Sequence, residues 1–471
     1  MLFRSNIVLI YNTMTRRKEE LTPIKQGEIS MYVCGPTVYN FIHVGNARPL
    51  IVFDTLRRYL EYRGYKVTFV QNFTDIDDKL IRRAAEEGCS VQAVADRYIA
   101  EYYTDARALH VSDATFSPHA TEHIGDIIGL IQRLIDMGYA YAADNGDVYF
   151  SVRSYPSYGR LTGQSIESLE SGARIDPSEQ KRDPLDFALW KGRKPGEPYW
   201  EAPWGEGRPG WHIECSAMSM RLLGETFDIH AGGQDLMFPH HENEIAQSEA
   251  ATGRPFARYW MHNGYINVNN QKMSKSLGNF RTVRDIVSEF EPDALRLFML
   301  SAHYRSPINF SRELMEQAET ACARIRTARE RLAEARVSDA PDTKAEGAFI
   351  DSLNVFSEAF IRAMDDDLNT ADAIGTLFEL IRACNTFVTE PRSAGAVKRA
   401  QELFDELAGV LGIETKTRAE FPEAALNLLN ERAAARRARD WARADAIRDE
   451  LKAMGFAVED SPQGAKLKPL A

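Results

Sequence analysis

The sequence predicts an α/β protein: a parallel-sheet domain carrying an insertion, then a helical bundle, then a small C-terminal domain. Three observations predict it. Near the start, an apolar run, an amphipathic run and a second apolar run succeed one another as strand, helix and strand. From Glu313 to about Gly412 the apolar residues recur at helical spacing with no strand signal, which predicts a bundle. And 471 residues exceed the usual length of one domain.

The elements follow in order. Residues 29–35 are largely apolar and break at Gly35-Pro36, a strand running into a loop. Over residues 47–63, Leu50, Ile51, Phe53, Leu56, Tyr59 and Leu60 fall at helical spacing, closed by Gly64. Lys66 to Phe73 reads as the second strand of a βαβ unit, so the sheet is expected to be Rossmann-like. Ligands of such sheets bind beyond the carboxyl ends of the strands, where His43 to Asn46 sits just before the helix. The helix dipole and its free N–H groups favour phosphate there.

Residues 115–205 read as an insertion: a helix over Glu122 to Met137, a strand over Gly146 to Val152, then a run rich in proline from Pro177 to Pro209. The main sheet is expected to resume near Trp211. Phe227 to His230 reads as a strand leading into Ala231-Gly232-Gly233, and a helix is expected from about Pro239 to Ala251. Arg258 to Val268 is strand-like and runs into the loop Lys272 to Ser276. The expected domains are therefore residues 1–114 with 206–312, the insertion 115–205, a helical bundle over 313–412, and a small domain over 421–471 made of a basic helix and a short tail.

Composition excludes several classes. No apolar run reaches the roughly 18 residues a membrane span needs. Met1 to Arg17 lacks the apolar stretch of a signal peptide. Five scattered cysteines argue for a reducing cytoplasm rather than a disulfide framework. The net charge of −11 speaks against wholesale nucleic-acid binding, yet two local stripes are basic. Seven basic and five acidic side chains lie between Glu431 and Lys452, around Trp441, and Arg324, Arg326, Arg329, Arg331 and Arg336 form the other stripe. On charge alone, each reads better as a solvated helix face laced with ion pairs.

Two distant segments carry the chemistry. Pro36-Thr37-Val38-Tyr39-Asn40-Phe41-Ile42-His43-Val44-Gly45-Asn46 and Lys272-Met273-Ser274-Lys275-Ser276, in that order, resemble the HIGH and KMSKS signatures of class I aminoacyl-tRNA synthetases. By itself His43 could be a structural loop histidine. The resemblance implies that it donates to an ATP phosphate and that Lys272 and Lys275 hold the departing pyrophosphate, a form of electrostatic stabilisation. Gly45, Asn46, Gly233, Asp235 and Ser274 complete the implied ATP set. Asn46 stands where the family usually shows histidine; it keeps a hydrogen-bond donor but cannot become cationic.

Cys34, Cys215, His240 and Glu244 are two thiols, an imidazole and a carboxylate, a donor set that suits Zn²⁺. His240 and Glu244 are spaced i, i+4 and share a helix face. The other reading is two buried free cysteines acting as small hydrophobes. Around these residues, Gly210-Trp211-His212-Ile213-Glu214-Cys215-Ser216, Gly232-Gly233-Gln234-Asp235-Leu236 and Phe238-Pro239-His240-His241-Glu242-Asn243-Glu244 resemble the cysteinyl-tRNA synthetase family. So do Gln71 to Lys79, Met364 to Thr370, Asp293 to Arg296, and Arg439 to Arg448, from about Ile10 to Gly464.

The resemblance implies one zinc per chain on Cys34, Cys215, His240 and Glu244, with His241 as the rival of His240. It places Thr74 and Trp211 in the pocket for L-cysteine, although Trp211 could equally be core. It sets Asp235 near the ribose, although a carboxylate there can also cap a helix. Zinc would choose a thiolate over a serine hydroxyl, a pair that packing alone separates by only about 10²-fold. The implied activity is a cysteine–tRNA ligase that uses ATP with Mg²⁺, takes tRNA(Cys) as partner, works in the cytoplasm without a membrane, and is a monomer. The rivals are a paralogue that joins cysteine to a small amine and an inactive RNA-binding paralogue. An unrelated dinucleotide-dependent oxidoreductase is excluded, because Cys34-Gly35-Pro36 stands where GxGxxG would follow the strand.

Overall fold

The apolar run at residues 29–33 is buried on both faces, the pattern of a central parallel strand, and the sheet is built around it. In the computed structural model, which describes residues 7–166, 168, 180–269, 271–272, 281–338, 341–415, 422–461 and 464–469, the chain divides into two compact units, Met1–Thr415 and Lys416–Ala471. The first unit opens with a hairpin of β1 (Leu9–Asn12) and β2 (Arg17–Glu20). Strand β3 (Glu28–Val33) leads through helix α1 (Val44–Tyr62) to β4 (Lys66–Gln71), which pairs with it in parallel. Helices α2 (Asp78–Glu87), α3 (Val91–Ala108) and α4 (Ile124–Asp136) follow.

The insertion is a sheet rather than a loop-rich run. Strands β5 (Ala140–Ala142), β6 (Val148–Phe150), β7 (Phe187–Gly192) and β8 (Gly207–Pro209) pair antiparallel in sequence order. Helix α4 covers them with Ile127, Leu130, Ile131 and Leu134, one face at i, i+3, i+4, i+7. Strand β7 was hidden in the sequence because its glycine and proline neighbours dominate that window.

The main sheet does not resume at Trp211. That residue opens helix α5 (Trp211–Leu223), and the sheet returns with β9 (Phe227–Gly233). Helix α6 (Glu242–Thr252) begins later than the expected Pro239, because Met237–His241 forms an irregular wide turn. Strand β10 (Ala257–Asn263) completes a four-stranded parallel sheet of order β10-β9-β3-β4. The expected single strand over Arg258 to Val268 is two. Beyond Gly264 and Tyr265, β11 (Ile266–Val268) joins a separate small sheet with β12 (Gln271–Lys272) and β13 (Ile308–Phe310).

Sheet order reverses at β3: one crossover leads to β4 on one side, and β9 pairs on the other. The crevice of such a sheet lies at that reversal, beyond the carboxyl ends of β3 and β9. Cys34 follows one of these ends and Gly233 closes the other.

Short helices α7 (Val283–Val287) and α8 (Pro292–Leu300) then lead to α9 (Arg312–Ala333), α10 (Lys344–Asp365), α11 (Thr370–Phe387) and α12 (Ala394–Leu411). The expectation of no strand here needs one correction: Val337–Ser338 and Arg392–Ser393 pair in parallel, two residues each. Wholly buried Arg296 on α8 binds the bundle to the sheet domain. It donates to Asp54 Oδ2 (2.5 Å) and Thr55 Oγ1 (3.1 Å) of α1 and to the carbonyls of Leu109 (3.0 Å) and Leu411 (2.6 Å). The basic stripe of α9 is partly spent within the chain: Arg329 grips both oxygens of Asp405 and Arg326 pairs with Glu291.

The second unit holds two helices, Glu423–Arg437 and Trp441–Ala453, and an antiparallel hairpin of Phe456–Ser461 and Gly464–Pro469. The expected short tail is thus a sheet whose Leu467 packs against Ala425, Ile447 and Leu451. Trp441 opens the second helix with its ring exposed. No helix among the described residues is long and apolar enough to cross a membrane.

Candidate active site

A cavity of about 590 Å³ lies at the reversal of the sheet, and Cys34, His43, Gly45, Asn46, Trp211, Gly233 and Asp235 all line it. Residues up to two hundred apart in sequence therefore share one wall.

His43 is the N-cap of α1. Asn46 N–H donates to His43 Nδ1 (3.2 Å), and His43 N–H donates to Asn46 Oδ1 (3.2 Å), a reciprocal capping box. Because Nδ1 accepts, the neutral ring carries its proton on Nε2, which makes His43 a donor on its other side. The carbonyl oxygen of Asn46's side chain is occupied by the cap. Pro49 lacks the N–H that would bond the Gly45 carbonyl, so the first turn is opened beside the cavity.

The chain returns to this turn from the second signature. Val44 N–H donates to Arg281 O (3.0 Å) and Val283 N–H to Ile42 O (3.0 Å), with His43 bridged to Thr282. At the other end, Lys272 pairs through its backbone with Asn267. The side chain of Lys272, together with Ser274 and Lys275, lies outside the described residues.

The polar cluster sits below the cavity. Cys34 Sγ is 3.9 Å from Cys215 Sγ and 3.5 Å from Glu244 Oε1, and His240 Nε2 is 3.1 Å from the same Glu244 oxygen. Donor atoms of Cys34, Cys215, His240 and Glu244 all lie within 4.8 Å of one another, and a second such set replaces Cys215 and His240 by His230 and His241. Either set is suited to a metal ion.

Sequence reasoning missed most of what surrounds it. His230 Nε2 meets Glu244 Oε2 at 2.8 Å, and its ring stacks on Trp260 (4.5 Å between centroids, 14°). His212 Nδ1 meets His240 Nδ1 at 3.0 Å. His241 Nδ1 meets His262 Nε2 at 2.8 Å, whose Nδ1 meets Thr13 Oγ1 at 2.8 Å. His241 Nε2 in turn lies 3.3 Å from Cys34 Sγ. Five of the ten histidines crowd here, and their density between His212 and His262 was the available signal. Gly232 permits the packing: a Cβ there would come within 3.0 Å of the His241 ring.

The electrostatics alternate in sign. The Cys34 thiol beside it, helped by His240, lowers Cys215 to about 6. Burial opposes a charge on His240, but Glu244 and Cys215 raise it to about 10. Burial likewise opposes Glu244, yet His230 and His240 hold it at about 2. Burial pushes Cys34 up, and lowers His241 and His212, with His262 falling to about 3. The cluster therefore presents anionic Glu244 and Cys215 against a cationic His240, with His212, His241 and His262 neutral around them.

Trp211 is exposed to the cavity and stacks on His240 (4.3 Å, 30°), so it is a wall residue and not core. Thr74 is buried behind the wall, bridged to Thr37, with its N–H donating to Pro36 O (3.3 Å). Asp235 is exposed in the turn after β9. It caps nothing, since the turn's N-cap is Gly233 and no side chain accepts there. Glu214 is buried beside Cys215 with Thr74 next to its carboxyl, and burial drives its pKa well up.

Comparison with known proteins extends this picture over the whole chain. Residues 20–320 match the class I (C) tRNA synthetase catalytic domain, 359–415 the DALR domain, and 418–466 the cysteinyl-tRNA ligase anticodon binding domain. A cysteine–tRNA ligase of Caldicellulosiruptor saccharolyticus is 57% identical over 462 residues, 98% of this chain and 99% of that protein. Two solved structures are similar in fold. Mycobacterium tuberculosis methionyl-tRNA synthetase with methionyl-adenylate has a TM-score of 0.58 at 16% identity, over 82% of this chain and 89% of that one. A ternary complex of Agrobacterium radiobacter K84 LeuRS with tRNA and LeuAMS has a TM-score of 0.59 at 12% identity, over 83% and 85%.

Proposed function

Because the chain belongs to the cysteine–tRNA ligase family of class I synthetases, we propose that the cavity and the cluster beneath it are its cysteine-activating site. The protein is an ATP-dependent ligase that makes cysteinyl-adenylate and pyrophosphate and passes cysteine to the terminal ribose of tRNA(Cys). Residues 1–114 and 206–312 form the catalytic part, with 115–205 as insertion; 313–412 is the helical anticodon-side bundle, and 421–471 is the small anticodon-binding domain.

One observation carries the reading. A tetrahedral zinc with bonds of about 2.3 Å to sulfur and about 2.0–2.1 Å to nitrogen and oxygen has edges of about 3.8 Å (S–S), 3.6 Å (S–O) and 3.4 Å (N–O). The corresponding separations in Cys34, Cys215, His240 and Glu244 are 3.9, 3.5 and 3.1 Å. The set with Cys215 is preferred over that with His230 and His241 because it offers two sulfurs, the softer ligands. When bound, the ion supplies a Lewis-acid position for the substrate sulfur and lowers the thiol's pKa.

The chain's own residues do the rest. His230 and His212 orient Glu244 and His240 from behind. Trp211 and Thr74 shape the cysteine pocket. His43 Nε2–H donates to a phosphate oxygen at the N-terminus of α1, where the dipole favours anions. Gly45 and Asn46 complete that turn, Gly233 lets the nucleotide approach, and Asp235 accepts from the ribose. Lys272, Ser274 and Lys275 take the departing pyrophosphate, with Mg²⁺ on the ATP. Five free cysteines support a reducing, cytoplasmic setting, and we take the active form to be a monomer.

The test is amino-acid-dependent ATP–pyrophosphate exchange, cysteine beside serine, with and without a zinc chelator. Exchange with cysteine alone, lost on chelation, is expected. Charging of tRNA(Cys) then separates the ligase from a small-amine ligase. No exchange from folded, zinc-loaded protein would overturn the reading in favour of an inactive RNA-binding paralogue.

A further inference from the structure

Arg48 is a buried cation that no acid pairs among the described residues. It lies five residues after His43 on α1, wholly inaccessible. Its guanidinium donates instead to three carbonyls: Tyr265 O from Nη1 (2.9 Å), and Ser306 O (2.6 Å) and His303 O (3.4 Å) from Nη2. Nε has no partner, and burial lowers the pKa to about 10. Burying a charge against neutral dipoles alone is costly, so packing is a poor reason for arginine here. A planar fork reaching carbonyls on two separate segments is the distinctive thing that arginine supplies.

Those segments form one block. Four successive carbonyls, from His303 to Ser306, are held: the first and last by Arg48, Tyr304 O by Gly264 N–H (2.8 Å), and Arg305 O by Gln234 Nε2 (3.2 Å). Ile308 N–H adds a bond to Tyr265 O (3.0 Å). At Gly264 the chain passes so close that a Cβ would lie 2.6 Å from Ser306 O and 2.7 Å from Arg305 O. Asn263 to Ile266, carried on this block, line one stretch of the cavity, and His43, Gly45 and Asn46 on α1 line another. Arg48 does not line the cavity; from α1 it reaches across to hydrogen-bond the block.

We propose that Arg48 is a positioning residue that fixes the spacing between the two stretches of cavity wall that grip ATP. This rests on the reading of the cavity as the ATP site. Loss of the fork would let the block shift against the first turn of α1, while Cys34, Cys215, His240 and Glu244 stay on other elements. The damage should therefore fall on ATP and spare cysteine.

The experiment compares wild type, R48K and R48M in ATP–pyrophosphate exchange, with separate titrations of ATP and cysteine, per mole of folded protein. A displacement of about 1 Å in a catalytic wall can cost roughly 10²-fold. R48M is expected to lose about that factor in kcat/KM for ATP, with KM for cysteine unchanged. R48K keeps the charge without the fork and falls about tenfold. Should R48M fail to fold, R48K alone decides. Equal loss for both substrates, or a lowered melting temperature with wild-type ATP kinetics, would make Arg48 merely structural and overturn the proposal. Absence of exchange in the wild type would instead overturn the site assignment itself.

Discussion

Replacing Asp54 by asparagine should unfold the first unit far more easily than its small change in shape suggests. Asp54 and Arg296 are 2% and 0% exposed, and Arg296 Nη2 lies 2.5 Å from Asp54 Oδ2. Burial pushes the Asp54 carboxyl up, but Arg296 and Arg58 outweigh it and hold the pKa below the ordinary value. Asparagine keeps an acceptor for Ser112 N–H, which now donates to Oδ1 at 2.9 Å, but turns an amide N–H₂ toward Arg296 and Arg58, so the loss is the charge together with the two hydrogen bonds to Oδ2. An uncompensated buried cation costs about 3–5 kcal/mol, a large share of the 5–15 kcal/mol that usually separates folded from unfolded. The assay is urea unfolding followed by tryptophan fluorescence, since Trp190 and Trp260 are both fully buried in this unit. D54L/R296M, which removes both charges, should recover most of the loss. R296M alone should cost less than D54N, because Arg58 Nε still pairs Asp54 at 2.8 Å. A D54N unfolding free energy within about 1 kcal/mol of wild type, or a double variant no better than the single, would refute this account. The pH sign follows from the depressed carboxyl: the contribution is whole above the unfolded value of about 3.9 and fades as pH falls through the lower folded value.

Three further outcomes are expected. H43N should keep the helix cap but lose the Nε2 donor, lowering kcat for exchange by about 10²–10³ with little change in KM for cysteine; an unchanged kcat would remove His43 from the phosphate site. C215S should lose metal affinity beyond the roughly 10–100-fold that an outer partner costs, and should lose preference for cysteine over serine, as metal analysis and exchange would show; full metal content would exclude Cys215 as a ligand. Asp78, held at about 2 despite burial by Lys191 and Arg208, should contribute about 1 kcal/mol after allowance for its half-exposed side chain. That contribution is present above about pH 4 and lost toward pH 2, so the stability gap between wild type and D78N should close over that window; a gap that persists at pH 2 would contradict it.

Local order carried much of the fold into the sequence. Apolar runs marked β3 and β4, and the 3.6 period marked α1 and the bundle, because a central strand is buried along its length and a helix along one face. Where flanking prolines and glycines dominated the window, as at β7 and the terminal hairpin, the pattern misled. Trp211 misled too, since a residue at a helix start has the same local composition as one ending a loop. The two signature segments were legible as motifs because their chemistry needs fixed residues at short spacing. The histidine network was not, because His212, His230, His241 and His262 come from α5, β9, the turn before α6, and β10, and meet only through packing.

The sequence by itself therefore determined the reaction class, the donor types available for a metal, and which residues stand at element ends. The tertiary structure alone decided that Cys34 and Cys215, 181 residues apart, lie 3.9 Å apart. It also decided that Trp211 faces a cavity, and that Arg48 and Arg296 are buried against partners more than two hundred and forty residues away at the furthest. The physical reason is that periodicity reports which side of an element is buried but not against what. Those partners are set by strand order and helix crossing, which bring chain-distant carbonyls, thiols and charges into one low-dielectric interior.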